Sequence, residues 1–375
     1  MRCLVVCVLA ACSGPSSATP DSPDAGSASP AVDAAPAPST TRLGLFPQGS
    51  YATPPALPYT GAEAIPPQIT SATKIALANQ LGATMLRTQA RFLAPGNVNG
   101  LDYATQITQA GLGLVLTVLP NPTGADGSTP PLDPANVADY QANLEATIAA
   151  TNPTVIMVEN EEIAPNFYAG TPDTYALELA TAVAIGHAHG LPVTNGGLTN
   201  VPTRLVTWYA MASANDWANA DAFADATFTN PAWRNQFPSA QNPTKAVLPS
   251  AMAQITAAHA YLAVYAASDM DYMDLHLYEV PAVQLTQELD YIASQVGKPI
   301  VSTEMGQYLY TDDHEPSGDP VTGMLGAAVA HAMPFVIWYS ADGNPAVALH
   351  DTTSASTFTL RAGGTAYAAF ASAHH

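Results

Sequence analysis

Thr154-Val155-Ile156-Met157-Val158-Glu159-Asn160-Glu161 and Lys298-Pro299-Ile300-Val301-Ser302-Thr303-Glu304 have the same form. Each is a short apolar run, rich in β-branched residues, that turns polar at its C-terminal end. A run apolar on both faces fits a strand buried in a parallel sheet covered by helices. The C-terminal ends of such strands are where a closed parallel barrel keeps its chemistry.

The pattern repeats outward from these two runs. Further strand candidates are 42–46, 83–88, 113–119, 191–195, 272–278 and 334–339, which makes eight. Between them lie helical patterns at 73–81, 102–110, 174–187, 283–296 and 321–332, with a closing helix at 365–373. Asp102 reads as a cap. Asp133-Pro134 opens another helix with a cap and a first-turn proline. Val137, Tyr140, Leu144 and Ile148 then fall on one helical face. The stretch 201–269 carries helical patterns without a clear strand. The expectation is therefore a single (β/α)8 barrel with an enlarged β5–α5 connection. A doubly wound open sheet is the alternative, but no G-x-G-x-x-G fingerprint follows the first strand.

Composition narrows the function. Hydrophobic residues make up 48 % of the 375-residue chain, enough for a large core, and charged residues only 11 %. The net charge of −20 argues against nucleic acid and anionic lipid as direct partners. A neutral substrate, such as a sugar polymer, fits it.

The three cysteines, Cys3, Cys7 and Cys12, lie at the N-terminus. The rest of the chain has no thiol for a disulfide or a thiolate metal site. Residues 1–11 read as a signal segment, with Arg2 ahead of Leu4-Val5-Val6-Cys7-Val8-Leu9. Leu9-Ala10-Ala11-Cys12 resembles a bacterial lipoprotein signal. That resemblance implies lipidation at Cys12, a place in the bacterial cell envelope, and membrane contact through the lipid anchor alone. An ordinary secretory signal is the alternative. Residues 12–40 are mainly Ser, Ala, Pro, Asp, Gly and Thr, which cannot bury enough surface to order themselves. They read as a flexible tether to a domain at 41–375.

The motifs follow the barrel order. Asn160-Glu161 ends the fourth strand and Glu304 the seventh. Asp274-Leu275-His276-Leu277-Tyr278 forms the sixth, Met85-Leu86-Arg87 ends the second, and Phe335-Val336-Ile337-Trp338 forms the eighth. Together these resemble clan A glycoside hydrolases, retaining barrel enzymes that include cellulases, mannanases and galactanases. The resemblance implies a retaining β-glycoside hydrolase acting on a neutral poly- or oligosaccharide, without a cofactor. By the same resemblance Glu161 is the acid/base and Glu304 the nucleophile. Asn160 holds the sugar 2-hydroxyl, Tyr278 and Arg87 stabilise the Glu304 carboxylate, His276 lies at the site, and Trp338 floors a sugar subsite; the alternatives are a helix cap or a simple ion pair with Arg87 for Glu304, and ordinary core for Trp338. A monomer is expected.

The sequence departs from the clan pattern where Glu162 stands in place of proline and Glu159 precedes Asn160. A one-residue shift in the strand end would present Glu159 or Glu162 instead of Glu161. An inactive, surface-tethered carbohydrate-binding or scaffold lipoprotein is the reading from another class. A metal-dependent hydrolase lacks the strand-borne His pairs it needs. His187 and His189 point to different faces of a helix end. Asp312-Asp313-His314-Glu315 is either a solvated acidic loop or a site for calcium or sugar hydroxyls. Asn195-Gly196-Gly197 reads as a tight turn, or as backbone close to substrate. Trp208, Tyr209, Trp217 and Trp233 either line an extended cleft or pack the inserted helices.

Overall fold

Eight parallel strands form a (β/α)8 barrel: β1 (Arg42–Leu45), β2 (Met85–Ala94), β3 (Gly113–Pro120), β4 (Val155–Val158), β5 (Val193–Thr194), β6 (Met273–Tyr278), β7 (Ile300–Gly306) and β8 (Phe335–Trp338). The structure is a computed structural model. It describes residues 41–47, 70–120, 128–228, 230–278, 280–306, 318–339, 349–354 and 357–374. The expected signal segment, Cys12, the tether 12–40 and the loop Asp312–Glu315 lie outside these residues.

Hydrogen-bonded ladders run in the order β5-β4-β3-β2-β1-β8-β7-β6. The ring closes between β5 and β6 through two isolated parallel bridges, Thr194 with Tyr272 and Leu198 with Leu275. Side chains reinforce this seam. Thr194 Oγ1 donates to the Tyr272 carbonyl at 3.0 Å, and the Val193 N–H donates to Asp271 Oδ2 at 2.8 Å. The Asp274 N–H donates to Asn195 Oδ1 at 2.7 Å, and Asn195 Nδ2 donates to the Asp274 carbonyl at 3.2 Å.

The strands are apolar on both faces because both faces are covered. Phe46, Met85, Val115, Val155, Met157, Val301, Phe335 and Ile337 fill the barrel interior. Leu43, Leu45, Leu86, Leu116, Ile156 and Val336 alternate with them and pack outward against the helices. Burying such a side chain contributes roughly 1.5–3 kcal/mol.

Local signals set the helix ends. Helix Ser71–Leu81 starts at Thr70, whose hydroxyl accepts the Thr73 N–H, and stops at Gly82 in the left-handed region. Thr171 caps helix Pro172–Ala188 through a reciprocal box with Thr174. Asp133 caps a 3-10 turn, Pro134–Asn136, which leads into helix Val137–Thr151. Asp102 is not a cap. It sits in the first turn of helix Leu101–Gln109, and Gly100 holds the cap position.

The β5–β6 connection is enlarged, as expected. It contains helices Asn200–Ser213, Trp217–Thr227, Pro231–Arg234 and Pro249–Ala267. The last packs between helices Pro172–Ala188 and Ala282–Val296 in the outer ring. The aromatics of the connection pack together and join the core between barrel and helices. Trp208 is fully buried, with its ring 4.9 Å from Phe237, and Phe228 lies 4.8 Å from Trp233. Tyr209 and Trp217 pack against the same core. Arg204 fastens the insert to the barrel: its guanidinium donates to the Tyr278 and Thr227 carbonyls and lies 3.7 Å from Glu288.

Candidate active site

β4 stops at Val158, two residues sooner than expected, because the chain kinks there. Glu159 (φ 68°) and Glu161 (φ 50°) both adopt left-handed backbone. That conformation costs a non-glycine residue roughly 1–3 kcal/mol and persists only where the surroundings hold it. The Glu159 N–H is anchored on the Val118 carbonyl at 3.1 Å, and the Glu161 N–H on the Gly196 carbonyl at 2.7 Å.

The kink sends three neighbouring acids to three places. Glu159 is fully buried, facing Glu178 and Thr129. Glu162 is buried under Tyr265, whose hydroxyl donates to it, and under Asn195. Glu161 alone of the three turns to the mouth of the barrel, where its side chain is 15 % exposed.

There it meets Glu304, which β7 presents from across the barrel. One carboxylate oxygen of each lies within 4.8 Å of the other and of a His276 ring nitrogen. His276 Nδ1 is 2.8 Å from Glu161 Oε1 and 3.5 Å from Glu304 Oε2. Arg87 NH1 donates to Glu304 Oε1 at 2.8 Å, and the Tyr278 hydroxyl donates to Glu304 Oε2. Arg87 also donates to Asn160 Oδ1, which turns the Asn160 amide nitrogen away from it. Six of the seven expected catalytic and substrate-binding residues, Arg87, Asn160, Glu161, His276, Tyr278 and Glu304, thus converge.

Trp338 is the exception. Its register partner on β1 is Leu45, which faces the helices, whereas the flanking Phe335 and Ile337 face the barrel interior. Side chains alternate along a strand, so Trp338 points outward. It is fully buried, 6.4 Å from the Tyr367 ring, and does not floor a sugar subsite. The next residue, Tyr339, points the other way and lies half-buried, 5.7 Å from Phe46 and 5.9 Å from Tyr278.

Thr117, Phe46, Thr303 and Asp274 were not singled out in the sequence as site residues, whereas Gly197 was read as part of a tight turn or of backbone close to substrate. Thr117 accepts from Arg87 Nε at 3.0 Å, and Phe46 lies under the guanidinium at 4.4 Å, a cation–π contact. Thr303 and Asp274 line the buried side of His276. Gly197 lies against the His276 ring with φ +91°, and a Cβ there would fall 2.2 Å from Nε2. Gly197→Ala is therefore expected to displace His276 and cut turnover at least tenfold while the chain still folds. Steady-state kinetics with a circular-dichroism melt check this.

Electrostatics separate the groups. Burial alone would raise the Glu304 carboxyl, but His276, then Arg87 and the Tyr278 hydrogen bond, outweigh it and hold it below the usual range. Burial would lower the His276 imidazole, but Glu304, Glu161 and Asp274 raise it. Glu161, His276 and Glu304 are also the set among the described residues whose ligand atoms could surround a cation. The Arg87 guanidinium, fixed at 2.8 Å from Glu304, opposes a divalent ion there. His187 and His189 have separate partners, Asp271 at 3.0 Å and Glu145 at 3.2 Å.

Behind the site, burial raises Glu162 and Glu178 to about 7 and Glu288 to about 8, and it holds Glu159 well above its usual range. These acids keep protons in the folded state that the unfolded chain releases near pH 4.5. Their contribution to stability is fully present below that pH and is lost as pH rises through their folded values, which for Glu162, Glu178 and Glu288 are about 7 to 8. The melting temperature is expected to drop between pH 5 and pH 8. Glu178→Gln, which keeps the shape and removes one titration, should flatten that slope in a calorimetric pH series.

The barrel has counterparts among solved structures. A β-glycosidase superposes at a TM-score of 0.52, with 13 % identity, over 80 % of this chain and 85 % of that one. The fold is similar to that of a β-glycosidase. A GH128 (subgroup II) endo-β-1,3-glucanase from Pseudomonas viridiflava aligns at a TM-score of 0.47, with 16 % identity, over 88 % of this chain and 97 % of its own. The GH53 catalytic domain of Ignisphaera aggregans aligns at 0.46, with 11 % identity, over 79 % and 88 %. No family model and no curated protein matches the sequence.

Proposed function

We propose that the protein is a retaining β-glycoside hydrolase acting on a neutral poly- or oligosaccharide. The observation that carries this reading is the approach of Glu161 and Glu304 oxygens to within 4.8 Å at the C-terminal mouth of the barrel. Double displacement uses carboxyl groups about 5–5.5 Å apart, and inversion needs about 6.5–9.5 Å to admit a water. Glu304, kept ionised by Arg87, Tyr278 and His276, attacks the anomeric carbon as Glu161 protonates the leaving oxygen. Glu161 then takes a proton from the water that releases the sugar. The Asn160 amide nitrogen donates toward the 2-hydroxyl, and Tyr339 offers the aromatic face first assigned to Trp338. The charge of −20 disfavours anionic polysaccharides. Membership of clan A, lipidation at Cys12 and a tethered monomer in the cell envelope belong to the same proposal.

The test is a panel of β-1,3- and β-1,4-glucans, mannan, galactan and xylan, with proton NMR of the first-formed anomer. Release of the β anomer from one of them is the expected result. Release of the α anomer would show inversion. Binding to a polysaccharide with no hydrolysis of any would favour the carbohydrate-binding alternative.

A further inference from the structure

Thr303 Oγ1 has four polar neighbours: Asp274 Oδ2 at 2.5 Å, Arg87 NH1 at 3.2 Å, His276 Nε2 at 3.2 Å and Met157 Sδ at 3.4 Å. A hydroxyl has one proton to give and two lone pairs to offer. Arg87 can only donate, so it takes one lone pair. The hydroxyl proton goes to the Asp274 carboxylate, which is nearer and a far stronger acceptor than a thioether. Asp274 is fixed for this task. It is fully buried, and its other oxygen accepts the Thr303 N–H at 2.8 Å. One lone pair of Thr303 is left, and it faces His276 Nε2. That contact is a hydrogen bond only if Nε2 carries the proton.

The other ring nitrogen then has a defined task. Nδ1 faces Glu161 Oε1 at 2.8 Å and Glu304 Oε2 at 3.5 Å. The charged or titratable groups around the ring are Glu161 after β4, Glu304 on β7, Asp274 on its own strand and Arg87 on β2, with Tyr278 reaching it through Glu304. We propose that Asp274 and Thr303 are positioning residues: they hold the His276 proton on Nε2, so that Nδ1 and Glu161 share a single further proton. This rests on the reading of Glu161 as the acid/base. With Nε2 protonated, the shared proton sits on Glu161 as a carboxylic acid or on Nδ1 as an imidazolium. Either way one proton is at hand for the leaving oxygen as the glycosidic bond breaks, and Glu161 is left as the carboxylate that later takes a proton from water. In the opposite tautomer a neutral imidazole would donate from Nδ1 to Glu161 and hold it as a carboxylate, with no proton to give.

The test has an arm that needs no turnover. The full chain is labelled with 15N-histidine, and His276 is assigned as the signal missing from His276→Gln. Long-range proton–nitrogen NMR then reads which ring nitrogen is protonated. Nε2 is expected to be protonated in the wild type and in Thr303→Ser, and to lose that fixed proton in Thr303→Val and Asp274→Asn. An unprotonated Nε2 in the wild type overturns the proposal, even if the variants fail to fold. So does a His276 signal unchanged by folded variants.

The second arm compares dinitrophenyl and phenyl β-glycosides of the sugar that the panel identifies. Thr303→Val and Asp274→Asn should lose about 10²-fold in kcat/KM on the phenyl glycoside, the lower end of what general acid catalysis supplies. They should lose less than about threefold on the dinitrophenyl glycoside, whose leaving group hardly needs an acid. Thr303→Ser should restore both. Equal losses on the two substrates would mean a merely structural role and overturn the proposal. A wild type that hydrolyses nothing removes the hydrolase reading instead, and the NMR arm still decides the tautomer.

Discussion

Glu304→Gln is expected to lose turnover on every substrate, on the order of 10⁶-fold, the scale seen when a covalent nucleophile is removed. Glu161, the other described carboxylate of the pair, is proposed as the acid/base, and Glu159 and Glu162 are turned into the protein. The amide can still accept from Arg87, so the buried guanidinium keeps a partner. Alanine would leave that charge uncompensated, at a cost of about 3–5 kcal/mol. The measurement is kcat on an activated aryl glycoside and on the polysaccharide, with a melt to show that the variant folds. Near-wild-type turnover by a folded Glu304→Gln protein would sink the assignment.

Glu161→Ala should behave differently. On a polysaccharide, loss of the acid is expected to cost about 10²–10⁴-fold. A dinitrophenyl glycoside should still form the intermediate, which then accumulates because its hydrolysis lacks a base. A burst of dinitrophenol followed by a slow steady state is the signature. Azide, which needs no base, should restore turnover and yield a β-glycosyl azide. Glu159→Ala and Glu162→Ala should show neither burst nor rescue. Rescue in one of those two would move the acid/base role to that neighbour.

The barrel was legible because its strands are continuous apolar runs between helices with readable ends. Asp133 caps as read, Asp102 does not, and the caps Thr70 and Thr171 were not singled out in the sequence. Legibility failed where a pattern carried no contrast. Phe335-Val336-Ile337-Trp338 is apolar at every position, so nothing in it says which residues face inward. The ladder to Arg42–Leu45 settles that, and it turns Trp338 away. β2 runs to Ala94, well past its expected end, and pairs with a short return strand at Asn97–Asn99. Thr88-Gln89-Ala90-Arg91 reads as loop because three of its four residues are polar, although Ala90 is fully buried and the strand stays paired as far as Phe92. The hairpin His350–Ser354 with Thr357–Leu360 was also missed, since its strands are mostly polar in sequence.

The pair of carboxylates at the mouth was legible because Glu161 and Glu304 each follow an apolar run. Which acid of Glu159, Glu161 and Glu162 reaches the mouth was not. Two left-handed residues decide it, and the sequence has no glycine there to announce them. Thr303 and Asp274 were invisible as site residues because their task depends on three strands meeting.

A closed barrel has no edge strands, yet this one is not equally closed all round. Between β5 and β6 two backbone bridges do what a full ladder does elsewhere, and Thr194, Asp271, Asn195 and Asp274 supply the remaining cross-links. The long insert leaves the barrel at this seam. Asp274 therefore belongs to two systems at once: its backbone stitches the seam and its carboxylate orders the ring of His276. Breathing of the barrel wall at that point would reach His276 and, through it, Glu161, the proposed acid/base, so loosening of the wall and placement of the proton are coupled through the same few atoms.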